Sequence, residues 1–107
     1  MIGRPRDAVV RQGQMAEFSC QTNERETVNW NYQPRKSLTD VDIVTAGSLV
    51  QSMEDKFAVS IDDLGAVLIL KNASMSDSGT YTCIDNLGLG ERASAELILL
   101  GEEPENV

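Results

Sequence analysis

The sequence predicts an all-β fold, built as a sandwich or a barrel of antiparallel strands. Apolar and polar residues alternate with a period of two along several short segments, whereas helical periodicity is weak. Groups of Gly, Asn, Asp, Ser and Pro separate these segments, as expected where turns join strands. The alternation also indicates that each sheet has one buried face and one solvent-facing face.

Six segments carry the alternating pattern. They are AEFSC at 16–20, VNWNY at 28–32, KFAVSI at 56–61, VLILKN at 67–72, GTYTC at 79–83 and ASAELIL at 93–99. In the first, Phe18 and Cys20 fall on one face and Glu17 on the other. In the second, Trp30 and Tyr32 share a face in the same way. We expect the apolar positions of all six segments to form the core.

Length and composition indicate one globular domain. The chain has 107 residues, of which 41% are hydrophobic and 24% charged. The final residues lack the alternating pattern, so we place the domain at residues 1–101 and an acidic tail or linker at 102–107.

The charge balance argues against two classes of partner. The chain has 17 acidic and 9 basic residues, for a formal charge of −8. Nucleic acids and anionic membrane surfaces bind proteins through Lys and Arg, so neither is expected as a partner. The apolar runs of the sequence, such as AVLIL at 66–70 and LILL at 97–100, are too short for direct insertion into a membrane.

The residue patterns of an enzyme are missing from the sequence. It has no histidine, no Gly-x-Ser-x-Gly motif and no phosphate-binding Gly-rich loop. Asp40 and Asp42 could share a calcium ion, but nothing supplies its remaining ligands. Asp62 and Asp63 are better explained as caps of a turn. We therefore expect no catalytic activity, no cofactor and no metal site.

Three motifs and one tryptophan follow each other along the chain in a specific order. They are GQMAEFSC at 13–20, Trp30, LILKNA at 68–73 and DSGTYTC at 77–83. The last motif fills every defined position of the pattern D-x-G-x-Y-x-C. Together they resemble the immunoglobulin superfamily over residues 4–100, at the signature positions of its strands B, C, E and F.

This resemblance implies a fold and its central contacts. It implies an immunoglobulin-like Greek-key β-sandwich, similar to the intermediate set (I-set) or the variable type, with one disulfide between its sheets. Cys20 on strand B and Cys83 on strand F would form this disulfide, and Trp30 on strand C would pack against it. Leu70 on strand E belongs to the same core signature.

The resemblance also implies that DSGTYTC is scaffolding. Tyr81 would form the tyrosine corner of the fold, with its hydroxyl bonded to nearby backbone. Gly79 would adopt a conformation without the steric cost of a Cβ atom. Asp77 is expected to form a salt bridge with Lys56. A nucleophilic role for Cys83 would require a free thiol and a base, and the chain has no histidine.

The middle of the chain favours a variable-type or I-set domain over a compact constant-type one. The interval between Trp30 and Phe57 leaves room for additional strands, and residues 42–50 (DIVTAGSLV) are the best candidates. The closing segment lacks the Phe-Gly-x-Gly motif of antigen receptors. Loosely, the segments IVTAG and DKFAV are similar to the first domains of lachesin-like adhesion proteins. Asp85 departs from the I-set pattern, and we expect it to be half-exposed at the start of the F–G loop.

The resemblance implies a non-catalytic extracellular module for protein recognition or adhesion. The partner would be another protein, through homophilic pairing or pairing with a related immunoglobulin-like domain. Binding would use the face formed by strands C, F and G, or the loops at 24–27 and 86–91. The expected binding-face residues are Asn29, Asn31, Gln33, Thr82, Ile84 and Asn86.

One short motif bears on the cellular location of the protein. Asn72-Ala73-Ser74 is an acceptor sequence for N-glycosylation, which would place the domain at the cell surface or outside the cell. Turn chemistry alone also explains an asparagine here. The alternative function is an intracellular I-set structural module of a muscle or cytoskeletal protein. In that cytoplasmic or sarcomeric setting Cys20 and Cys83 would stay reduced.

Overall fold

The described residues form a sandwich of nine β-strands in two sheets. The computed structural model describes residues 3–22, 28–35, 41–46, 49–50, 55–62, 65–85 and 90–100. The strands are β1 (Ala8–Arg11), β2 (Ala16–Cys20), β3 (Asn29–Pro34), β4 (Val41–Ala46), β5 (Leu49–Val50), β6 (Phe57–Asp62), β7 (Gly65–Leu70), β8 (Gly79–Ile84) and β9 (Arg92–Leu100). One turn of 3-10 helix, Met75–Asp77, lies between β7 and β8.

The strand order confirms the predicted immunoglobulin-like sandwich. One sheet has the order β1-β9-β8-β3-β4-β5, and the other has the order β2-β7-β6. Strands β3, β8 and β9 occupy the places of strands C, F and G. The predicted additional strands at 42–50 correspond to β4 and β5, which extend the six-stranded sheet beyond β3 as in variable-type domains.

The inward positions of the alternating segments form the core between the two sheets. Phe18, Leu70 and Tyr81 are buried there. Cys20 on β2 and Cys83 on β8 form the predicted disulfide from one sheet to the other. Because the cysteines are 63 residues apart, the bridge restricts the unfolded chain and stabilises the fold by about 4 kcal/mol in the chain-entropy model.

Aromatic rings form a continuous cluster in this core. The Tyr81 ring lies between those of Phe18 and Tyr32, with centroid distances of 5.0 and 5.2 Å and nearly parallel planes. Trp30 lies directly opposite Cys83 in the register of β3 and β8, and its ring is 6.4 Å from that of Phe18. Each such pair contributes about 0.5–1.5 kcal/mol beyond the burial of its area.

The first residues of the described chain pass from one sheet to the other, which the sequence analysis did not predict. Gly3 exchanges two backbone hydrogen bonds of 2.9 Å with Gln21, just beyond β2. A few residues later β1 pairs with β9, and this pairing is parallel. Pro5 is buried between these two attachments. Because proline has no backbone N–H, the chain can leave the pairing with Gln21 at this residue without leaving a hydrogen-bond donor unpaired.

Candidate binding face

The outward side of the six-stranded sheet presents three transverse rows of side chains. On β3, β8 and β9, inward core residues alternate with outward ones. The strand registers align the outward residues into rows, which are Asn29–Ile84–Arg92, Asn31–Thr82–Ser94 and Gln33–Thr80–Glu96. We call these nine residues the outer face.

The middle row carries no charge. Thr82 Oγ1 and Ser94 Oγ share a hydrogen bond of 2.8 Å, and Asn31 lies opposite Thr82 on its other side. Charged side chains are depleted at the centres of protein–protein interfaces, because taking a charge out of water is costly. A partner can therefore cover the middle row without burying an unpaired charge of this row.

Charged groups flank this row on β9. Arg92 and Glu96 are both exposed. Glu96 accepts a 3.2 Å hydrogen bond from Thr80 Oγ1, and its other carboxylate oxygen lies 4.0 Å from Arg35 Nη2. Since both members of this ion pair are more than half exposed, it contributes little to stability. The outer face thus has a neutral centre and charged groups at its margin.

Ile84, one of the expected binding-face residues, occupies an outward position of β8 but is buried there. It is only 5% exposed. The register places it between Asn29 and Arg92, and side chains opposite each other on neighbouring strands lie close together on the same face. The long apolar stem of an arginine also covers neighbouring apolar surface. Ile84 therefore offers a partner almost no surface.

Two asparagines of β3 have unmet hydrogen-bonding capacity. The side-chain oxygens of Asn29 and Asn31 are buried and accept no hydrogen bond from the described residues. A buried acceptor without a donor costs about 1–3 kcal/mol. Rotation of either carboxamide toward a donor held above the sheet would recover part of this energy. Because the two residues are two positions apart, both groups lie on the outer face.

An apolar strip continues this side of the sheet toward the end of β9. It consists of Val9, Ile98 and Leu100, which are 57%, 36% and 42% exposed. Val9 lies opposite Ile98 in the parallel pair, and Ile98 and Leu100 are successive outward residues of β9. Three adjacent exposed aliphatic side chains form a small patch of the kind that partners cover.

The scaffolding residues lie away from the outer face, around the buried carboxylate of Asp77. Asp77 Oδ2 is 2.6 Å from Lys56 Nζ and accepts hydrogen bonds from the backbone N–H and the hydroxyl of Ser74 at 2.8 and 3.1 Å. The Tyr81 hydroxyl donates a 2.7 Å hydrogen bond to the Asp77 carbonyl. Gly79 has a φ of +154°, and a Cβ atom there would collide with the carbonyl oxygen of Gln33 on β3.

Burial changes the acidity of both tyrosines. The pKa of Tyr81 is raised far above its ordinary value, chiefly because the ring is desolvated and also because the Asp77 charge is near. The pKa of Tyr32 is raised for the same two reasons. Both hydroxyls therefore stay neutral in the folded protein at physiological pH, and neither is suited to act as a base.

Part of the expected loop surface lies outside the described residues. This applies to 24–27 and to 86–89, which include Asn86. The base of the second loop is described, since Asp85 N–H donates to the Glu91 carbonyl and Gly90 N–H donates to the Asp85 carbonyl, both at 3.0 Å. Asp85 itself is half-buried at the point where the loop begins.

Comparison with known proteins identifies the family of this fold. The immunoglobulin V-set domain model matches residues 3–92 of the chain. The chain belongs to the immunoglobulin V-set family. This assignment agrees with the position of β4 and β5 on the six-stranded sheet.

Two relatives of this V-set domain are the platelet-derived growth factor receptors beta of Rattus norvegicus and Mus musculus. Each is 30% identical over 92 residues, which are 84% of this chain but only 8% of the receptor. The V-set domain thus corresponds to a small part of each receptor's length.

A solved structure has the same fold at low sequence identity. It is the crystal structure of Dpr1 IG1 bound to DIP-eta IG1, with a TM-score of 0.71 and 14% identity. The alignment covers 92% of each chain. At this identity the likeness concerns the fold.

The described part of the V-set domain holds no group of three or more acidic or cysteine side chains placed to bind a metal ion. Within those same residues no helix is long and apolar enough to cross a membrane.

Proposed function

We propose that this V-set domain is a non-catalytic, extracellular recognition module that binds another immunoglobulin-like domain through its outer face. The partner is a second copy of the chain or a related domain. The observation that carries the proposal is the uncharged middle row Asn31–Thr82–Ser94, with Arg92 and Glu96 at its margin. A neutral centre with a charged margin is the usual anatomy of a protein–protein interface.

The comparisons support the class of function and of partner. The curated relatives are receptors, and in the structural neighbour one IG1 domain is bound to another. The apolar strip of Val9, Ile98 and Leu100 adds exposed aliphatic area on the same side of the sheet. The unmet acceptors of Asn29 and Asn31 add a preference for a partner that brings hydrogen-bond donors.

The disulfide supports the proposed location at the cell surface or outside the cell. Bridged cysteines persist in oxidising compartments and are uncommon in the cytosol. The domain bounds that fit this proposal remain residues 1–101, with 102–107 as an acidic tail or linker. Adhesion is one role of such a module, and binding of a soluble ligand is another.

The alternative, an intracellular I-set structural module, is supported less well. Such modules generally have a shorter segment between strands C and D, whereas here β4 and β5 fill that segment. The alternative also requires Cys20 and Cys83 to be reduced in the native protein, although their positions allow a bridge.

The experiment uses the secreted chain and two charge-introducing variants. Analytical ultracentrifugation measures self-association. Surface plasmon resonance measures binding to a panel of immunoglobulin-like ectodomains from the organism that produces the chain. Thr82→Arg places a charge in the middle row. Ser60→Arg places the same charge at an exposed position of β6 in the other sheet and serves as the matched control.

We expect Thr82→Arg to weaken binding at least tenfold, because the arginine would be buried without a partner, which corresponds to about 1.4 kcal/mol or more. Ser60→Arg should leave binding unchanged. Thermal melts of both variants control for folding. Binding that survives Thr82→Arg, or that is lost in Ser60→Arg alone, would refute the outer face as the binding surface.

A further inference from the structure

We infer that Asn72 is an N-glycosylation site whose glycan covers the end of the sandwich formed by the β1–β2 turn and the chain after β7. Asn72-Ala73-Ser74 is the only Asn-x-Ser/Thr sequence in the chain. The inference does not depend on the proposed binding surface. It rests on what the fold does with each of the three residues.

Asn72 has no role in holding its own turn. The residue is exposed, and its side chain makes no hydrogen bond within the described residues. The turn is instead held by Ala73, which donates its N–H to the Gln14 carbonyl at 2.9 Å and accepts from the Gly13 N–H at 2.7 Å. The Ala73 side chain is buried in the core. The hydrogen bonds of the turn therefore give no reason for an asparagine at 72.

The anchoring of Ala73 fixes the direction of its neighbour. Since Ala73 points inward and both of its backbone groups are paired, Asn72 is held outward beside Gly13. A Cβ atom on Gly13 would lie 4.0 Å from Asn72 Oδ1, and no other described residue beyond the chain neighbours of Gly13 has an atom that close. A shallow open cleft lined by Gln12, Asp55 and Lys56 adjoins the carboxamide. The fold therefore leaves room for a sugar at this position.

Ser74 has two uses that occur at different times. In the folded protein its hydroxyl bonds the Asp77 carboxylate at 3.1 Å and its backbone N–H bonds the same oxygen at 2.8 Å. The glycosylation machinery needs the serine hydroxyl before this network forms, while the segment is still extended. The folded role of Ser74 therefore does not compete with its role in the acceptor sequence.

The chemistry is a transfer of an oligosaccharide from a lipid pyrophosphate donor. The carboxamide nitrogen of Asn72 attacks the anomeric carbon of the first sugar and forms the C–N bond. The bond from that carbon to the pyrophosphate oxygen breaks, and the lipid pyrophosphate leaves with the electron pair. The amide nitrogen loses one proton to a base of the transferase. The product is a neutral polar cap on an exposed turn.

The location separates the glycan from the outer face. Asn72 follows β7 of the three-stranded sheet, whereas the outer face lies on β3, β8 and β9 of the other sheet. The glycan would shield the turn at Gln12 and Gly13 and leave the middle row open. The glycan would thus leave the six-stranded sheet as the accessible surface for partners.

The test is secretion of the full chain from insect or mammalian cells, followed by digestion with a peptide N-glycosidase and peptide mass spectrometry. We expect a band shift on digestion and conversion of Asn72 to Asp. Asn72→Gln and Ser74→Ala should both abolish the shift, whereas Ser74→Thr should keep it. Asn106→Gln, which changes an asparagine outside both the motif and the outer face, is the matched control and should keep it as well.

Stability measurements separate glycan loss from damage to the turn. Asn72→Gln should keep a thermal midpoint close to that of the enzymatically deglycosylated wild type, because the Asn72 side chain makes no hydrogen bond to the described residues. Ser74→Ala should lower the midpoint, because it removes a hydrogen bond to Asp77. A bare Asn72 in secreted protein that is folded and has its disulfide would overturn the inference. A shift that persists in Asn72→Gln would overturn it too.

Discussion

The hydroxyl of Tyr81 donates a 2.7 Å hydrogen bond to the backbone carbonyl of Asp77, four residues earlier in the chain. The carboxylate of the same Asp77 is held by Lys56, immediately before β6, and by Ser74. One buried residue therefore ties β6, the 3-10 turn and β8 together. These contacts connect the three-stranded sheet, which contains β6, with the six-stranded sheet, which contains β8.

Removal of the Tyr81 hydroxyl tests the first of these contacts. We expect Tyr81→Phe to lower the free energy of unfolding by about 1–2 kcal/mol, because the buried Asp77 carbonyl loses its donor. The loss should appear as a lower midpoint in urea denaturation with an unchanged slope. Thr82→Val removes an exposed hydroxyl from the same strand and should cost much less. Equal losses in the two variants would contradict the role given to Tyr81.

The ion pair of Lys56 and Asp77 predicts which of two substitutions lowers the stability more. Asp77→Asn should cost about 2–3 kcal/mol, since it weakens charge-assisted bonds from both Lys56 and Ser74 in a buried place. Lys56→Met should cost about 1 kcal/mol, because the lysine is partly exposed and Ser74 still binds the carboxylate. Urea denaturation of both single variants and of the double variant measures the coupling. A greater loss in Lys56→Met than in Asp77→Asn would show that the carboxylate is not the centre of this network.

Much of the strand pattern could be predicted because burial on one side of a sheet leaves a period of two in the sequence. The segments at 16–20 and 79–83 correspond closely to β2 and β8. Strand β1 escaped prediction because AVVR is short and only half-buried, and its pairing depends on β9, which follows more than 80 residues later. Local patterns carry no information about such a distant parallel partner.

The close approach of β3 to Gly79 predicts that a side chain at this position lowers the stability. An alanine Cβ at this position would meet the Gln33 carbonyl oxygen on β3 and would lie 3.1 Å from the Pro34 Cα and the Arg35 nitrogen. We therefore expect Gly79→Ala to cost about 2 kcal/mol or more in the free energy of unfolding.

Gly13→Ala is the matched control for this variant. Gly13 also has a positive φ, of +92°, but among the described residues beyond its chain neighbours a Cβ there would approach only Asn72 Oδ1, at 4.0 Å. We expect a cost of about 1 kcal/mol, which comes from the backbone conformation alone. Equal costs at the two glycines would mean that the approach of β3 to Gly79 is not the deciding factor.

The buried tyrosine predicts a loss of stability at alkaline pH. Burial raises the pKa of Tyr81, so above about pH 10 the unfolded chain releases this proton while the folded chain keeps it. The unfolded state then binds fewer protons, and the free energy of unfolding falls by about 1.4 kcal/mol per pH unit from this group. Urea denaturation at increasing pH measures the slope, which should be shallower in Tyr81→Phe. Ionisation of both tyrosines near pH 10 in the folded protein would contradict the prediction.

The outer face was predictable in part. Asn31 and Thr82 could be placed there because they alternate with Trp30, Tyr81 and Cys83, which the core requires. The burial of Ile84 could not be foreseen, because the alternating pattern places it outward and the sequence does not show which side chains cover it. The apolar strip was also missed, since it combines residues from β1 and from β9.

Site-specific photocrosslinking measures most directly which surface this V-set domain uses. A photoreactive phenylalanine analogue at Ser94 lies in the middle row of the outer face, and the same analogue at Ser60 lies on exposed β6 of the other sheet. The proposal predicts that the Ser94 probe forms a covalent product with a second copy or with an immunoglobulin-like partner, and that the Ser60 probe forms none. A product from the Ser60 probe alone would contradict the proposal and move the binding surface to the three-stranded sheet.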